Sequence, residues 1–338
     1  MSHCIYCRCL LNKNDPPDDM TQSKEHIIPW ALGGSNEFVT WDASRKYNND
    51  FGSDIDAPFS NLLPLAIKRH ELRIEGQSGA IPPIELKARS LDNGEPLTIV
   101  IDVDGNVRFD FAPTVIDDVK KRHTERLVAG PPDRVREILK GMLAKARQKG
   151  NTIYSLTGQP MKSIEDFEKL FEIEETELAH ASVLMDGDVW VRGICKILLG
   201  LGHVVLGPEW SFSADGGDRI RSVLVLDRQH WPQHSLRGFS SGQLPADIAR
   251  TLGITEAVRE GGYHTIAVLP GVEQPRGVVS LFGGRNIPEA MVALGTERGR
   301  LASVNETMRP DLRVGVRINP QTRQTTWITI GDLVANSP

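Results

Sequence analysis

The sequence predicts an α+β chain in which a small strand–strand–helix unit at the N-terminus is followed by a larger α+β body rich in antiparallel strands. Three observations predict it. Turn residues divide the first sixty positions into two short strand candidates and a helix. Residues 82–112 alternate apolar and polar side chains at the two-residue period of a half-buried strand. Beyond them, a helix-spaced stretch and a nearly all-apolar stretch precede several short β-rich runs separated by Gly and Pro.

Residues 1–75 form the first expected domain. Pro16, Pro17, Gly33, Gly34 and Gly52 bound strand candidates around His26 to Ile28 and Phe38 to Trp41. A helix is expected near Ala43 with Asp42 as its N-cap, and it or a second helix continues from Ser53 through Arg69. So small a unit needs a metal or a neighbouring domain to be stable.

Residues 76–338 are expected to form one α+β domain. The run IELKARSLDNGEPLTIVIDVDGNVRFDF turns at Asn93-Gly94 and Asp104-Gly105, pairs that accept the positive φ of tight hairpins. In residues 133–149, after Pro131 and Pro132, Val135, Ile138, Leu139, Met142, Leu143 and Ala146 recur at helical spacing, and the other face is basic. Residues 164–178 are acidic and read as an exposed helix or loop. Residues 189–206, VWVRGICKILLGLGHVVL, read as a buried helix. From Ser222 onward, SVLVL, HTIAVL, GVVSLF, VGVRI and TTWITI read as strands.

With 338 residues, two domains are the natural expectation. An apolar share of 40% and a charged share of 25% exclude a disordered or fibrous chain. No window approaches eighteen uncharged apolar residues and the N-terminus lacks a signal-peptide pattern, so the expected location is the cytoplasm. Four cysteines are too few for a disulfide framework, and the crowding of Cys4, Cys7 and Cys9 points to a metal or a remnant of one. A net charge of −5 excludes a surface that attracts polyanions everywhere. Charge is local instead: residues 1–60 hold five basic against nine acidic side chains, and residues 120–149 hold ten against three. Arg134, Arg136, Lys140, Lys145, Arg147 and Lys149 are therefore the candidate DNA contacts.

Hydrolysis of a phosphodiester needs a group that deprotonates water, a cation that neutralises the phosphate and leaving oxygen, and a scaffold that aligns them. His26, at the end of a predicted strand, can take water's proton because imidazole titrates near neutral pH. Strand alternation turns Glu25 to the opposite face unless the backbone twists there. Asn48, on the following helix, offers the hard carbonyl oxygen that Mg²⁺ accepts.

These residues carry a resemblance. Cys4-Ile-Tyr-Cys7, then Glu25-His26-Ile27-Ile28-Pro29 with Leu32-Gly33-Gly34, then Asn48-Asn49-Asp50-Phe51-Gly52, resemble the HNH endonuclease family. They are most similar to the branch that reads CxxC, EHxIPxxLGG and CxxCNxxFG. The segment DIDAPF after Gly52 and the stretch WVRGICKILLGLGH near Trp190 also look like standalone members of that branch. The resemblance implies a ββα-metal finger, with His26 as general base and Glu25 and Asn48 holding one Mg²⁺ or Mn²⁺ ion. It also implies a structural zinc on Cys4 and Cys7, but Ser44 and Tyr47 stand where the family has its second cysteine pair, so the ion would have to take Cys9 or His3, adjacent ligands that are awkward around a tetrahedral ion. The family's middle Asn has no clear counterpart near Val39, Thr40 or Trp41, so orientation of the His26 ring is expected from a backbone carbonyl.

Plainer readings stand beside each of these. His26 alone would be a loop histidine satisfied before Pro29; Asn48 could cap a helix; Glu25 could be an exposed carboxylate. The cysteines could form a buried apolar cluster or reactive thiols. His230 and His234 are spaced like ligands, but Pro232 between them breaks the helix that spacing needs. The runs SADGGD and FGGRN lack the ending of a phosphate-binding loop and read as turns. The leading expectation is a metal-dependent DNA endonuclease, whose single site cuts one strand, so that a double-strand break takes a homodimer or two nicks. The rival is a nucleic-acid-binding or regulatory protein that keeps a decayed finger while the C-terminal body does the work.

Overall fold

A computed structural model describes residues 2–14, 16–90, 94, 96–111, 114–119, 124–129, 132–155, 158–169, 179–180, 185–232, 235–271, 274–296, 301 and 309–337. It is an α+β protein with antiparallel sheets, in two compact units: residues 1–82 together with 185–338, and residues 83–184. The boundary expected near residue 75 therefore lies at 82/83, and the N-terminal module shares one unit with the C-terminal strands. Local periodicity cannot reveal such a return, because it reads neighbours in sequence and not in space.

The first unit begins with β1 (Gln22–His26) paired antiparallel to β2 (Val39–Ser44). Between the pairs Ser23–Ala43 and Glu25–Thr40, β2 carries one residue more than β1, a bulge around Trp41 and Asp42. The bulge extends β2 past the expected end at Trp41 to Ser44, and Ser44 rather than Asp42 caps α1 (Arg45–Phe51) by accepting from the Tyr47 N–H. A single π-helical turn, Gly52–Asp56, follows, then α2 (Ala57–Ser60) and α3 (Leu63–Glu71).

The second unit holds the expected hairpins. β3 (Ile84–Ser90), β4 (Pro96–Ile101) and β5 (Val107–Phe111) form a meander, with the short β10 (Ala179–His180) beside β3. Gly105 has φ +83°, as the Asp104-Gly105 turn requires, whereas Asn93 lies outside the described residues. β6 (Thr114–Val119) pairs with β7 (Thr124–Ala129). The basic helix is α4 (Pro132–Gln148); Val135, Leu139 and Leu143 are its buried stripe. β8 (Ile153–Tyr154), β9 (Pro160–Met161) and α5 (Ile164–Glu168) complete the unit; residues 170–178 of the acidic segment lie outside the described residues.

The chain then re-enters the first unit through α6 (Gly187–Leu206), capped by Asp186, followed by α7 (Pro208–Ser211) and α8 (Gly217–Val225). SVLVL, expected as a strand, lies in and just after α8, where Val223 and Leu224 face the core. A short apolar run has no period of its own to separate strand from helix. β11 (Ser240–Gly242), α9 (Ala246–Thr251) and α10 (Glu256–Glu260) precede β12 (His264–Leu269), β13 (Arg276–Ser280), β14 (Glu289–Ala293), β15 (Arg313–Ile318) and β16 (Thr325–Thr329), and α11 (Ile330–Asn336) ends the fold. The sheet order is β11-β14-β13-β12-β15-β16, antiparallel throughout.

Helix α6 is the spine of this unit. Of the stretch apolar enough to cross a membrane, 78% is buried, against β12, β13 and β15 and against the N-terminal module. Gly193, Lys196, Gly200 and His203 recur at three- and four-residue spacing and so share one face. That face meets Phe59, Glu25 with Asp56, Ile27 and Asp42 respectively. At Gly193 a Cβ would stand 2.2 Å from the Phe59 ring, so glycine there sets how closely the helix approaches. The sheet holds the module too: His264 Nε2 bonds the Leu32 carbonyl, and Arg323 lies over the Trp30 ring while donating to the Trp30 and Gly34 carbonyls.

Candidate active site around His26

Strand alternation sorts the three residues at the end of β1. Lys24 and His26 turn to one face and Glu25 to the other. On the outer face, Asn36 of the β1–β2 loop is exposed, and its Oδ1 meets both Lys24 Nζ and His26 Nε2, the latter at 3.1 Å. An ammonium only donates, so the Asn36 atom it faces is an oxygen. The same oxygen must then receive Nε2–H from the imidazole, which leaves the lone pair of the neutral ring on Nδ1. No described residue bonds to Nδ1. The Trp30 ring, 5.1 Å away between centroids, forms one wall. Half-burial lowers the His26 pKa below its ordinary value, against the opposing effect of the Asn36 bond, and so favours the neutral ring. Side-chain orientation thus comes from Asn36, not from a backbone carbonyl.

Glu25 is not an exposed carboxylate, nor is it free to hold a metal. It is 2% exposed; its Oε1 pairs with the Lys196 ammonium and accepts from the Tyr6 hydroxyl at 3.1 Å. Lys196 also donates to Asp56 Oδ2 at 2.8 Å. Burial raises the Glu25 and Asp56 pKa values, with Lys196 opposing. For Lys196 burial disfavours the charge, yet Asp56 and Glu25 outweigh it, and its pKa stands above the ordinary lysine value.

Asn48 lies on α1, where the family pattern puts it, but its amide nitrogen donates to Ser23 Oγ at 2.7 Å and to the Lys24 carbonyl at 2.9 Å. It clamps α1 to β1 beside the site. A Mg²⁺ or Mn²⁺ ion held by Glu25 and Asn48 does not fit this arrangement, because the carboxylate is buried and already paired with the Lys196 ammonium, which leaves the Asn48 oxygen without the acidic partner such a site requires. Among the described residues no group of three or more His, Cys, Asp or Glu side chains is placed to hold a metal.

The four positions of the expected zinc knuckle do converge. Cys4 is buried and its Sγ accepts from the Tyr6 and Ser44 N–H groups, each at 3.4 Å. Ser44 spends its hydroxyl on the α1 cap, and the Tyr47 ring packs on Tyr6 and Phe51. Burial pushes the Cys7 thiol up to about 12. With a cap and an aromatic cluster in place of two thiolates, the set does not fit a tetrahedral zinc.

On α4, Arg136 pairs with Glu168 and Asp133, Arg134 with Glu137, and Arg147 donates to the Lys162 carbonyl. Lys140, Lys145 and Lys149 are exposed and make no ion pair with a described residue. His230 closes a single 3₁₀ turn, and His234 lies outside the described residues. SADGGD leads into α8 and FGGRN forms a tight turn with Gly283 at φ +71°.

Sequence reasoning missed Asn36, Asp56 and Lys196. Asp56 and Lys196 fall within DIDAPF and WVRGICKILLGLGH, where each is one of two charged residues in a largely apolar stretch, and that was the signal. No protein-family model, curated protein or solved structure matches this chain.

Proposed function

We propose that the chain is a DNA endonuclease in which Nδ1 of His26 removes the proton from the attacking water. The observation that carries this reading is the shared Asn36 oxygen, which presents a neutral histidine with its lone pair free at the end of a strand open to solvent. Lys24, bonded to the same oxygen, brings a positive charge to the face where the phosphate would lie. Asn36 holds both groups in register; the Trp30 ring, covered by Arg323, forms the wall beside them. DNA is the proposed partner, and within the second unit Lys140, Lys145 and Lys149 are the proposed phosphate contacts.

A second reading is favoured by two specific observations. The Glu25 carboxylate is consumed by Lys196 and the second cysteine pair is replaced, as in a nucleic-acid-binding protein that keeps a silent finger as scaffold. Nicking of supercoiled plasmid separates the two. Wild type should nick and His26→Ala should be slower by about 10²-fold or more. Equal nicking by both proteins removes the His26 role, and none by either favours the second reading.

A further inference from the structure

We infer that the ammonium of Lys196 is a built-in cation on the buried side of the strand that carries His26, occupying the ground between Glu25 and Asp56 that a divalent ion would otherwise take. Its catalytic meaning rests on the endonuclease reading above; its geometry does not.

Lys196 reaches the module from α6, where Gly193 and Gly200 on the same face let the helix approach Phe59 and Ile27. Its Nζ contacts Glu25 Oε1 and lies 2.8 Å from Asp56 Oδ2, and both Lys196 and Glu25 are 2% exposed. Glu25 has Tyr6 as its other partner, whereas Asp56 Oδ1 is buried without one among the described residues. Two carboxylates and one ammonium thus lie immediately inside the strand that carries His26, and the Lys196 charge helps to lower the pKa of its ring.

An ammonium and a divalent ion answer the same need, neutralising clustered carboxylates, but they differ in chemistry. The ammonium belongs to the chain, requires no loading, and donates hydrogen bonds in place of accepting oxygen ligands. It does not acidify a bound water as a metal does, so proton removal falls wholly to His26. Being buried, Lys196 cannot touch a substrate. It is a positioning residue that fixes Glu25, Asp56 and the end of β1 against α6.

The test is Mn²⁺ binding to the full chain, read by electron paramagnetic resonance. Wild type should bind no more Mn²⁺ than Asp56→Asn. Lys196→Met, which keeps the apolar stem and removes the charge, should gain one Mn²⁺ per chain, at least tenfold tighter than any wild-type binding. Adding Asp56→Asn to it should abolish the gain. A purely structural lysine would not produce that gain. Wild-type Mn²⁺ binding that is lost in Glu25→Gln or Asp56→Asn overturns the inference, as does a folded Lys196→Met that gains none. Should Lys196→Met fail to fold, the comparison of wild type with Asp56→Asn decides alone: equal binding upholds the inference, and weaker binding in Asp56→Asn overturns it. Plasmid nicking is scored separately, so a wild type that never nicks removes the endonuclease reading and leaves the Mn²⁺ result to judge Lys196.

Discussion

Nε2 of His26 stands 3.1 Å from Oδ1 of Asn36, and this bond determines which ring nitrogen is free. Replacing Asn36 with Ala should lower the nicking rate about 10–100-fold, because the neutral ring is no longer held in one tautomer and orientation. The pH–rate profile should rise through a pKa below 6.5, since the working form is neutral and burial lowers the ring's pKa. The Asn36 bond opposes that lowering, so Asn36→Ala should move the limb to still lower pH. An unchanged rate and limb in Asn36→Ala would remove its positioning role.

Helix α6 approaches the N-terminal module only as closely as glycine permits. Gly193→Ala should destabilise the first unit by about 1–3 kcal/mol by driving a methyl into the Phe59 ring. Gly141 of α4 has nothing within 4 Å of where its Cβ would lie. Gly141→Ala should therefore stabilise the second unit by about 0.5–1 kcal/mol. All six tryptophans belong to the first unit, so urea unfolding followed by Trp fluorescence should report the loss at Gly193 and be insensitive to Gly141. Far-UV circular dichroism should register both.

His264 is fully buried; its Nε2–H donates to the Leu32 carbonyl and its Nδ1 accepts from the Phe282 N–H. Burial lowers its pKa from 6.5 to about 4. The unfolded chain therefore takes up a proton near pH 6.5 that the folded protein refuses until about pH 4. Stability from the neutral ring is complete above 6.5 and is lost as pH falls from 6.5 towards 4, in all about 3 kcal/mol. His264→Gln should flatten that part of the stability–pH curve; a curve of unchanged slope would show that the acid sensitivity arises elsewhere.

Lys140 and Lys145 of α4 and Lys149 just beyond it make no ion pair with a described residue, whereas Arg136 ties α4 to Glu168 and Arg147 is held by the Lys162 carbonyl. Changing the three lysines to Glu should lower the slope of log affinity against log salt by up to about 3, near one counterion per lysine. Fluorescence anisotropy with a labelled duplex at several salt concentrations measures it. The same slope in wild type and variant would return this face of α4 to ordinary solvated surface.

Much of the fold could be read from local pattern. The alternation of residues 82–112, the stripe of α4, the apolar length of α6 and the late strands from HTIAVL onward depend on neighbours in sequence, and periodicity reports those. What failed depended on distant partners. That SVLVL is helical follows from its burial against α6, and that β2 runs to Ser44 follows from a bulge that lets Asp42 face His203. At the site, the strand alternation that separates Glu25 from His26 was legible, but the destination of Glu25 was not. Lys196 is 171 positions from Glu25 in the chain and reads there only as one of three charged residues in a largely apolar helix. Asn36 was passed over because its role rests on loop geometry and not on spacing.

Chemical rescue tests the role of His26 most directly. In His26→Ala, added imidazole should enter the space left by the ring and restore plasmid nicking in proportion to the concentration of neutral imidazole, with the pH dependence of free imidazole replacing that of the protein. Nicking by His26→Ala at the wild-type rate without imidazole would contradict the account.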